Sequence, residues 1–205
     1  MALNLTKGQK ISLTKNDGSS LSKVFLGVGW DVAQSKGFFG FGGGASIDLD
    51  ASVVLFDDNK NVVDTVYFAQ LNSKDGSIRH SGDNLTGEGD GDDETIYVDL
   101  SCVPSQVKTL LFTVSSFRGQ TFDKVENAFC RLVDEHSGQE IASYKLSSQG
   151  AHTALIIAKL YRHNGEWKMH AIGEAIQGRT LQEIIPKAVP CLLYTSDAAD
   201  ERSSV

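Results

Sequence analysis

The chain has 205 residues, about 40% of them hydrophobic, and a formal net charge of −7. This size allows one substantial core, and the sequence has no apolar run near the roughly 18 residues that a membrane-spanning helix needs. No apolar stretch follows the basic residues near the start, so no secretory signal is expected, and the lack of a basic stripe argues against nucleic acid as a partner.

The predicted elements are mostly short strands closed by turn residues, and a tight Asn164-Gly165 turn joins the last two. The predicted strands are residues 10–15, 22–30, 46–56, 61–69, 95–101, 107–117, 127–135, 140–146, 154–162 and 166–173. Thr180 followed by Glu183 predicts the start of a short helix, whose apolar stripe is disturbed by Pro186. This pattern predicts an all-β fold, a β-sandwich of two mainly antiparallel sheets with a short C-terminal helix.

Residues 1–190 are predicted to form one domain. Residues 191–205 change to small and polar side chains, which is typical of a flexible or artefactual tail, so they are left out of the fold prediction. The three cysteines, Cys102, Cys130 and Cys191, are too widely spaced for a disulfide framework or a thiolate metal site. They favour the cytoplasm, with Cys102 and Cys130 as small core residues.

The negative charge is concentrated in one part of the chain. Seven acidic residues and no Lys or Arg occur between Asp83 and Asp99, which accounts for the whole formal charge of −7. Six of these acids lie in the glycine-rich segment 82–94, GDNLTGEGDGDDE. Crowded carboxylates repel one another, and a bound cation would remove that cost. A solvated acidic loop without a ligand is the alternative.

A second acidic pair lies earlier in the chain. Asp48 and Asp50 are two residues apart on the predicted strand 46–56, so both should point to one face while Leu49 and Ala51 face the core. If segment 82–94 folds over that end of the strand, five or more carboxylates converge there. Hard oxygen ligands on glycine-rich backbone favour Ca²⁺, with Mg²⁺ second, whereas Zn²⁺ would need more His or Cys. The spacing does not match an EF-hand loop.

Four motifs in this sequence resemble the TerD family of bacterial tellurium-resistance and stress-response proteins. They are GDNLTGEGDGDDETIYVDL (82–100), GVGWD (27–31), DLDAS (48–52) and the late Trp167, and the likeness runs from residue 1 to about 190. The resemblance implies a β-sandwich with Ca²⁺ in loops at one end and no established catalytic activity. It also implies partners among other stress-response proteins, in a complex at the membrane surface.

The resemblance also implies a ligand set for two ions. The residues it points to are Asp31, Asp48, Asp50, Asp83, Asn84, Glu88, Asp92, Asp93 and Glu94. Asp31 would serve a turn equally well, and Asp90 is expected to face water.

Two other functions fit the same residues. A metal-dependent hydrolase would use the carboxylates with an open coordination position and His80 as acid or base, although His80 is expected at the surface. A C2-like calcium-dependent membrane module would use Phe38, Phe39 and Phe41, although these rings would equally well fold back on the core.

Overall fold

The computed structural model describes residues 2–15, 18–32, 48–83, 91–146 and 150–193. Within these ranges the chain forms twelve β-strands, one short 3₁₀ turn and one α-helix. The strands are β1 (Leu3–Leu5), β2 (Lys10–Ser12), β3 (Lys23–Val32), β4 (Asp50–Phe56), β5 (Val62–Val66), β6 (Ile78–His80), β7 (Glu94–Asp99), β8 (Thr109–Ser115), β9 (Val125–Asp134), β10 (Glu140–Lys145), β11 (Ala154–His163) and β12 (Glu166–Ile176). The 3₁₀ turn is Phe122–Lys124, and the helix, α1, is Leu181–Leu193.

The strands form two six-stranded sheets. The first has the order β1-β10-β9-β3-β7-β6, and the second has the order β2-β12-β11-β8-β4-β5. Among the strands described, β1 pairs with β10 in parallel and every other pairing is antiparallel. The predicted sandwich of two mainly antiparallel sheets is therefore confirmed.

The core lies between the sheets and follows the two-residue period of the strands. Val24, Leu26 and Val28 of β3 face Ala51 and Val53 of β4 across one continuous buried cluster. Trp30 and Trp167 are also buried in this cluster. The predicted inward direction of Leu49, Ala51 and Val53 is thus what the structure shows.

Helix α1 covers the outer face of the second sheet. Val54 and Phe56 point outward from β4 and pack with Ala188 of the helix in a second apolar cluster. The helix runs through Pro186, so the predicted disturbance does not end it, and it reaches Leu193, beyond the predicted boundary at residue 190. Glu183 accepts the backbone N–H of Arg179 at 3.0 Å rather than that of Thr180, so the predicted capping box is shifted by one residue.

The turn predictions were better than the strand boundaries. Asn164 and Gly165 both have positive φ, 50° and 84°, as a two-residue hairpin turn requires. Strands β1 and β6, with three residues each, are too short to show a pattern in the sequence. Cys102 is exposed rather than part of the core, because it lies in the turn after β7, whereas Cys130 is buried as predicted.

Candidate metal centre

Three carboxylates meet at one end of the sandwich. Oxygen atoms of Asp48, Asp50 and Asp83 lie within 4.8 Å of one another, and we term these three residues the carboxylate cluster. Asp50 is the first residue of β4, Asp48 comes two residues before it, and Asp83 follows β6 in the other sheet. The predicted meeting of the Asp48/Asp50 pair with the start of segment 82–94 is therefore seen, although Asp48 precedes the strand.

Two atoms of the cluster are buried without a hydrogen-bond partner. Asp48 and Asp50 are only 6% and 5% exposed, and Oδ1 of Asp48 and Oδ2 of Asp50 accept no hydrogen bond from the described residues. A buried carboxylate oxygen without a partner is costly, because it has lost its water and gained nothing in exchange. These oxygens fit a bound cation, since a divalent ion would supply the missing interaction.

The electrostatics of the cluster also favour a bound cation. Burial raises the pKa of Asp50 to about 7, and the neighbouring acidic groups add to this rise, while the Phe117 backbone N–H opposes it. Burial also raises the pKa of Asp48, against the attraction of Arg118. The negative charge of this cluster is thus poorly compensated by the protein itself.

Arg118 is the one cation seen at the cluster among the described residues. Its Nε lies 3.1 Å from Oδ2 of Asp48, and its side chain is 56% exposed. An exposed guanidinium can swing away at small cost, and it leaves Oδ1 of Asp48 without a partner. Arg118 was not predicted from the sequence. It lies just past the end of β8, and β8 pairs there with the start of β4 through Ser115 and Asp50.

Glu94 has a structural role. It is completely buried, and its Oε2 accepts the backbone N–H of Ala51 at 2.6 Å. His80 lies beside it, with Nε2 at 3.4 Å from Oε2 of Glu94 and 3.1 Å from the Ala51 carbonyl. Because Nδ1 of His80 accepts the Gly82 N–H at 3.0 Å, Nε2 carries the proton in the neutral ring. His80 is therefore buried, and the expectation of a surface position was wrong.

The side chains of Glu94 and His80 bond the backbone of β4 at a point that β5 does not reach. The pairing of β4 with β5 ends at Val53, so it does not reach Ala51. The two side chains come from β7 and β6 of the opposite sheet and satisfy both backbone groups of Ala51. They therefore join the two sheets beside the cluster and hold the residue that follows Asp50.

Asp92 is paired within the protein. Its carboxylate accepts two hydrogen bonds from Arg131, Nε at 2.8 Å and Nη2 at 2.9 Å. It lies directly over Gly27, where a Cβ atom would overlap the carboxylate, and a Cβ at Gly29 would lie 2.6 Å from the Gly91 carbonyl oxygen. The glycines of the GVGWD motif thus let residues 91 and 92 cross β3 at close range.

Asp93 and Asp31 lie at the end of β3. Oδ2 of Asp93 accepts the Trp30 backbone N–H at 2.8 Å, and burial is the main cause that raises the pKa of Asp93. Asp31 is exposed, and its Oδ2 accepts a hydrogen bond from Asn127 Nδ2 at 2.7 Å. Neither residue joins the carboxylate cluster in the part of the chain that the structure describes.

The other predicted ligands, Asn84 and Glu88, lie outside the described residues, as do Asp90 and the Phe38, Phe39 and Phe41 of the membrane hypothesis. The structure therefore brings together Asp48, Asp50 and Asp83, and it gives Asp31, Asp92, Asp93 and Glu94 partners within the protein. The second ion implied by the resemblance stays a prediction. In the described ranges, no helix has the length and apolar character to cross a membrane.

Comparisons with known proteins agree with this architecture. The TerD domain matches residues 1–187. The chain is 52% identical over 184 residues to the tellurium resistance protein TerZ of Serratia marcescens, covering 89% of this chain and 94% of that protein. It is 43% identical over 203 residues to the stress response protein SCP2 of Bacillus subtilis, covering 92% of this chain and all of that protein.

A solved structure supports the fold. The crystal structure of a homologue of telluride resistance protein (TerD) from Streptomyces coelicolor A3(2) superimposes with a TM-score of 0.63 at 20% identity, covering 78% of this chain and 92% of that one. The sequence matches, which span nearly the whole domain, assign the family directly. This chain therefore belongs to the TerD-domain family of tellurium-resistance and stress-response proteins.

Proposed function

We propose that this protein binds Ca²⁺ at the carboxylate cluster and serves as a non-catalytic module of the stress response. The observation that carries the proposal is the pair of buried, unpartnered oxygens on Asp48 and Asp50, in a cluster whose carboxylate oxygens lie within 4.8 Å of one another. A cation there would link the start of β4 to the segment that follows β6, which belong to different sheets. Ion binding would thereby order the surface at this end of the sandwich for a partner.

The ligand chemistry favours calcium. All three side chains of the cluster offer carboxylate oxygens, which are hard ligands, and His80, the nearest imidazole, is occupied with Gly82 and Ala51. Carboxylates that come from two separate segments suit the larger and more adaptable coordination shell of Ca²⁺ better than the strict octahedron of Mg²⁺. Asn84 and Glu88, which follow Asp83 in the chain, would supply further oxygens.

The proposed setting is the cytoplasm, together with other stress-response proteins and near the membrane surface through those partners. Three free cysteines among the described residues fit a reducing compartment. The family names, tellurium resistance and stress response, support the biological context. The relatives reported above carry no enzymatic name.

Calorimetric titration of the chelator-stripped protein with Ca²⁺, and then with Mg²⁺, tests the proposal. We expect selective Ca²⁺ binding that falls by roughly 100-fold or more in the Asp48→Asn, Asp50→Asn double variant, because two direct ligands lose their charge. The matched control is Asp58→Asn, Glu135→Gln, which removes two charges at exposed positions away from the cluster. Equal affinities in both double variants would contradict the assignment of the ligands.

The same preparation tests the absence of catalysis. The calcium-loaded protein should not hydrolyse a panel of phosphoesters, since the ion would occupy the carboxylates of the cluster and His80 is engaged with Gly82 and Ala51. Turnover that chelator abolishes and that the Asp48→Asn, Asp50→Asn variant lacks would favour the hydrolase instead.

A further inference from the structure

A cavity opens beside the carboxylate cluster. It has a volume of about 320 Å³ and lies between the outer face of the second sheet and the first turns of α1. This volume is at the lower end of the range for small-molecule sites, roughly 300–1,000 Å³. Asp50 belongs both to the cluster and to the lining of the cavity, so the cluster and the cavity adjoin at this residue.

The floor of the cavity is polar because of the strand register. Asp50 pairs with Ser115 between β4 and β8, and Ser52 follows Asp50 on the same outward face. All three are about 95% buried and line the cavity. Oδ2 of Asp50 has no hydrogen-bond partner among the described residues. A buried polar floor of this kind is satisfied by ordered water, an ion or a polar ligand.

The walls are apolar and aromatic. The rings of Phe68 and Phe117 meet edge to face with centroids 5.8 Å apart, and Leu181 and Ile185 of α1 also line the cavity. Phe117 is 50% exposed, so its ring is open to contact with a ligand. Walls of this type favour a planar organic body.

The rim of the cavity is positive. Arg179 borders it, and its guanidinium donates to the Phe117 carbonyl through Nε at 3.0 Å and Nη2 at 2.9 Å, which leaves further N–H donors for a ligand. Thr180, Leu181 and Gln182 at the start of α1 also border it, and the N-terminus of a helix attracts negative charge. Asp50 is the acidic residue of the cavity lining among the described residues, with Asp48 and Asp83 beside it in the cluster and Glu183 at the start of α1. A cation at the cluster would offset the repulsion of an anion by Asp48, Asp50 and Asp83.

We propose that this cavity binds a small planar organic anion whose carboxylate or phosphate oxygen completes the coordination of the ion at Asp50. The inference rests on the proposed calcium site, and it adds the class of ligand that the site would recognise. The ion binds one end of the molecule, Arg179 and the start of α1 attract its charge, and Phe68 and Phe117 contact its flat body. Ion and anion would then bind cooperatively, each raising the affinity for the other by the same factor.

Benzoate is the first probe, with benzylamine as its cationic counterpart. Calcium-saturated protein is titrated with benzoate while the backbone amide resonances are followed by NMR, and the Ca²⁺ affinity is measured by calorimetry with and without benzoate. We expect shifts at Phe117, Leu181 and Ile185, loss of benzoate binding in chelator, and a Ca²⁺ affinity raised by roughly threefold or more. Phenyl phosphate in place of benzoate shows which oxyanion the site prefers.

Two variants locate the binding. Phe117→Ala removes an exposed ring from the wall of the cavity. It should lower the affinity for benzoate by about tenfold while the Ca²⁺ affinity stays unchanged. Ala69→Trp, at an exposed position of the rim, should fill the cavity and abolish benzoate binding. Phe25→Ala is the matched control, since Phe25 packs with Tyr97 on the outer face of the other sheet.

The outcomes separate this inference from the proposed function. Ca²⁺ binding without any effect of benzoate would overturn the anion site and leave the calcium site standing. Benzoate binding that is equal with and without Ca²⁺, or unchanged in Phe117→Ala, would also overturn it. Selective binding of benzylamine to metal-free protein would show that the cavity serves a cation at Asp50 instead. Absence of Ca²⁺ binding would overturn both proposals.

Discussion

Two groups of acidic residues lie at the same end of the sandwich, and they differ in whether their carboxylates have partners within the fold. In the run Asp92–Glu94, each side chain has a partner within the fold: Arg131, the Trp30 backbone and the Ala51 backbone. In the carboxylate cluster, buried oxygens of Asp48 and Asp50 have none among the described residues. The run Asp92–Glu94 is thus bonded within the fold, whereas the earlier pair has buried oxygens that the described residues leave without a partner.

Local charge density in the sequence therefore does not show which carboxylates lack partners in the fold. A carboxylate that already accepts good hydrogen bonds has little to gain from an ion, whereas a buried one without partners has much to gain. The distinction depends on contacts from distant parts of the chain, such as Arg131 with Asp92, which are 39 residues apart.

The largest expected effect comes from removing Glu94, one of the acidic side chains that have partners within the fold. Replacing Glu94 by Ala should lower the free energy of unfolding by about 3 kcal/mol, because the buried Ala51 N–H loses its acceptor and a cavity remains. Urea denaturation in chelator and in saturating Ca²⁺ measures the loss, which should be similar in both. Glu135→Ala, at an exposed position, is the control. A loss seen only with Ca²⁺ would show that Glu94 is chiefly a ligand.

A second prediction concerns the pH dependence of the cluster. The pKa of Asp50 is raised from 3.8 to about 7, so the folded state binds this proton more tightly than the unfolded state does. In metal-free protein, Asp50 should therefore reduce stability progressively as the pH rises from about 4 to about 7, by on the order of a few kcal/mol. Above that range its contribution is constant.

Denaturation in chelator at several pH values, with the Asp50→Asn variant beside the natural protein, checks this slope. The variant should lose the part of the slope that Asp50 contributes, and it should be the more stable of the two at pH 8 because the unpartnered charge at position 50 is gone. Saturating Ca²⁺ should reverse the trend for the natural protein, since the ion binds the ionised carboxylate. A variant with the same slope would place the titrating group elsewhere.

The smallest effect is expected at Asp31. This side chain is exposed and contacts Asn127, so Asp31→Ala should change the free energy of unfolding by less than about 0.5 kcal/mol. The Ca²⁺ affinity of the Asp31→Ala variant should stay within about twofold of that of the natural protein, since Asp31 does not belong to the cluster. Scanning calorimetry measures the change in unfolding, and titration calorimetry measures the Ca²⁺ affinity. Asn127→Ala, which removes the same hydrogen bond from the other side, is the companion variant. A tenfold loss for Asp31→Ala alone would make Asp31 a ligand and extend the site.

Much of the fold could be predicted because its causes are local. Alternation in the predicted strand 46–56 indicated that Leu49, Ala51 and Val53 face the core, and Asn164-Gly165 predicted the last hairpin. The short strands β1 and β6 could not be predicted, since three residues show no period and their pairing depends on partners far away in the chain. Helix α1 continues through Pro186 because its apolar stripe packs on the sheet, which local propensity does not reveal.

The site was predicted in outline and not in detail. The spacing of Asp48 and Asp50 indicated a shared face, and their meeting with Asp83 follows from the neighbouring ends of β4 and β6. The burial of His80 and the roles of Arg118 and Arg131 depend on contacts between the sheets or across strands. No local pattern in the sequence carries that information.

The close approach of Asp92 to β3 has a consequence for sequence variation in the family. Gly27 leaves the space that the Asp92 carboxylate fills, and Arg131 neutralises that carboxylate. A side chain at position 27 would displace the Asp92 carboxylate and break its two hydrogen bonds with Arg131, which would keep its ion pair with Glu140 at 3.8 Å. Relatives with a side chain at position 27 are thus expected to differ at positions 92 and 131 as well.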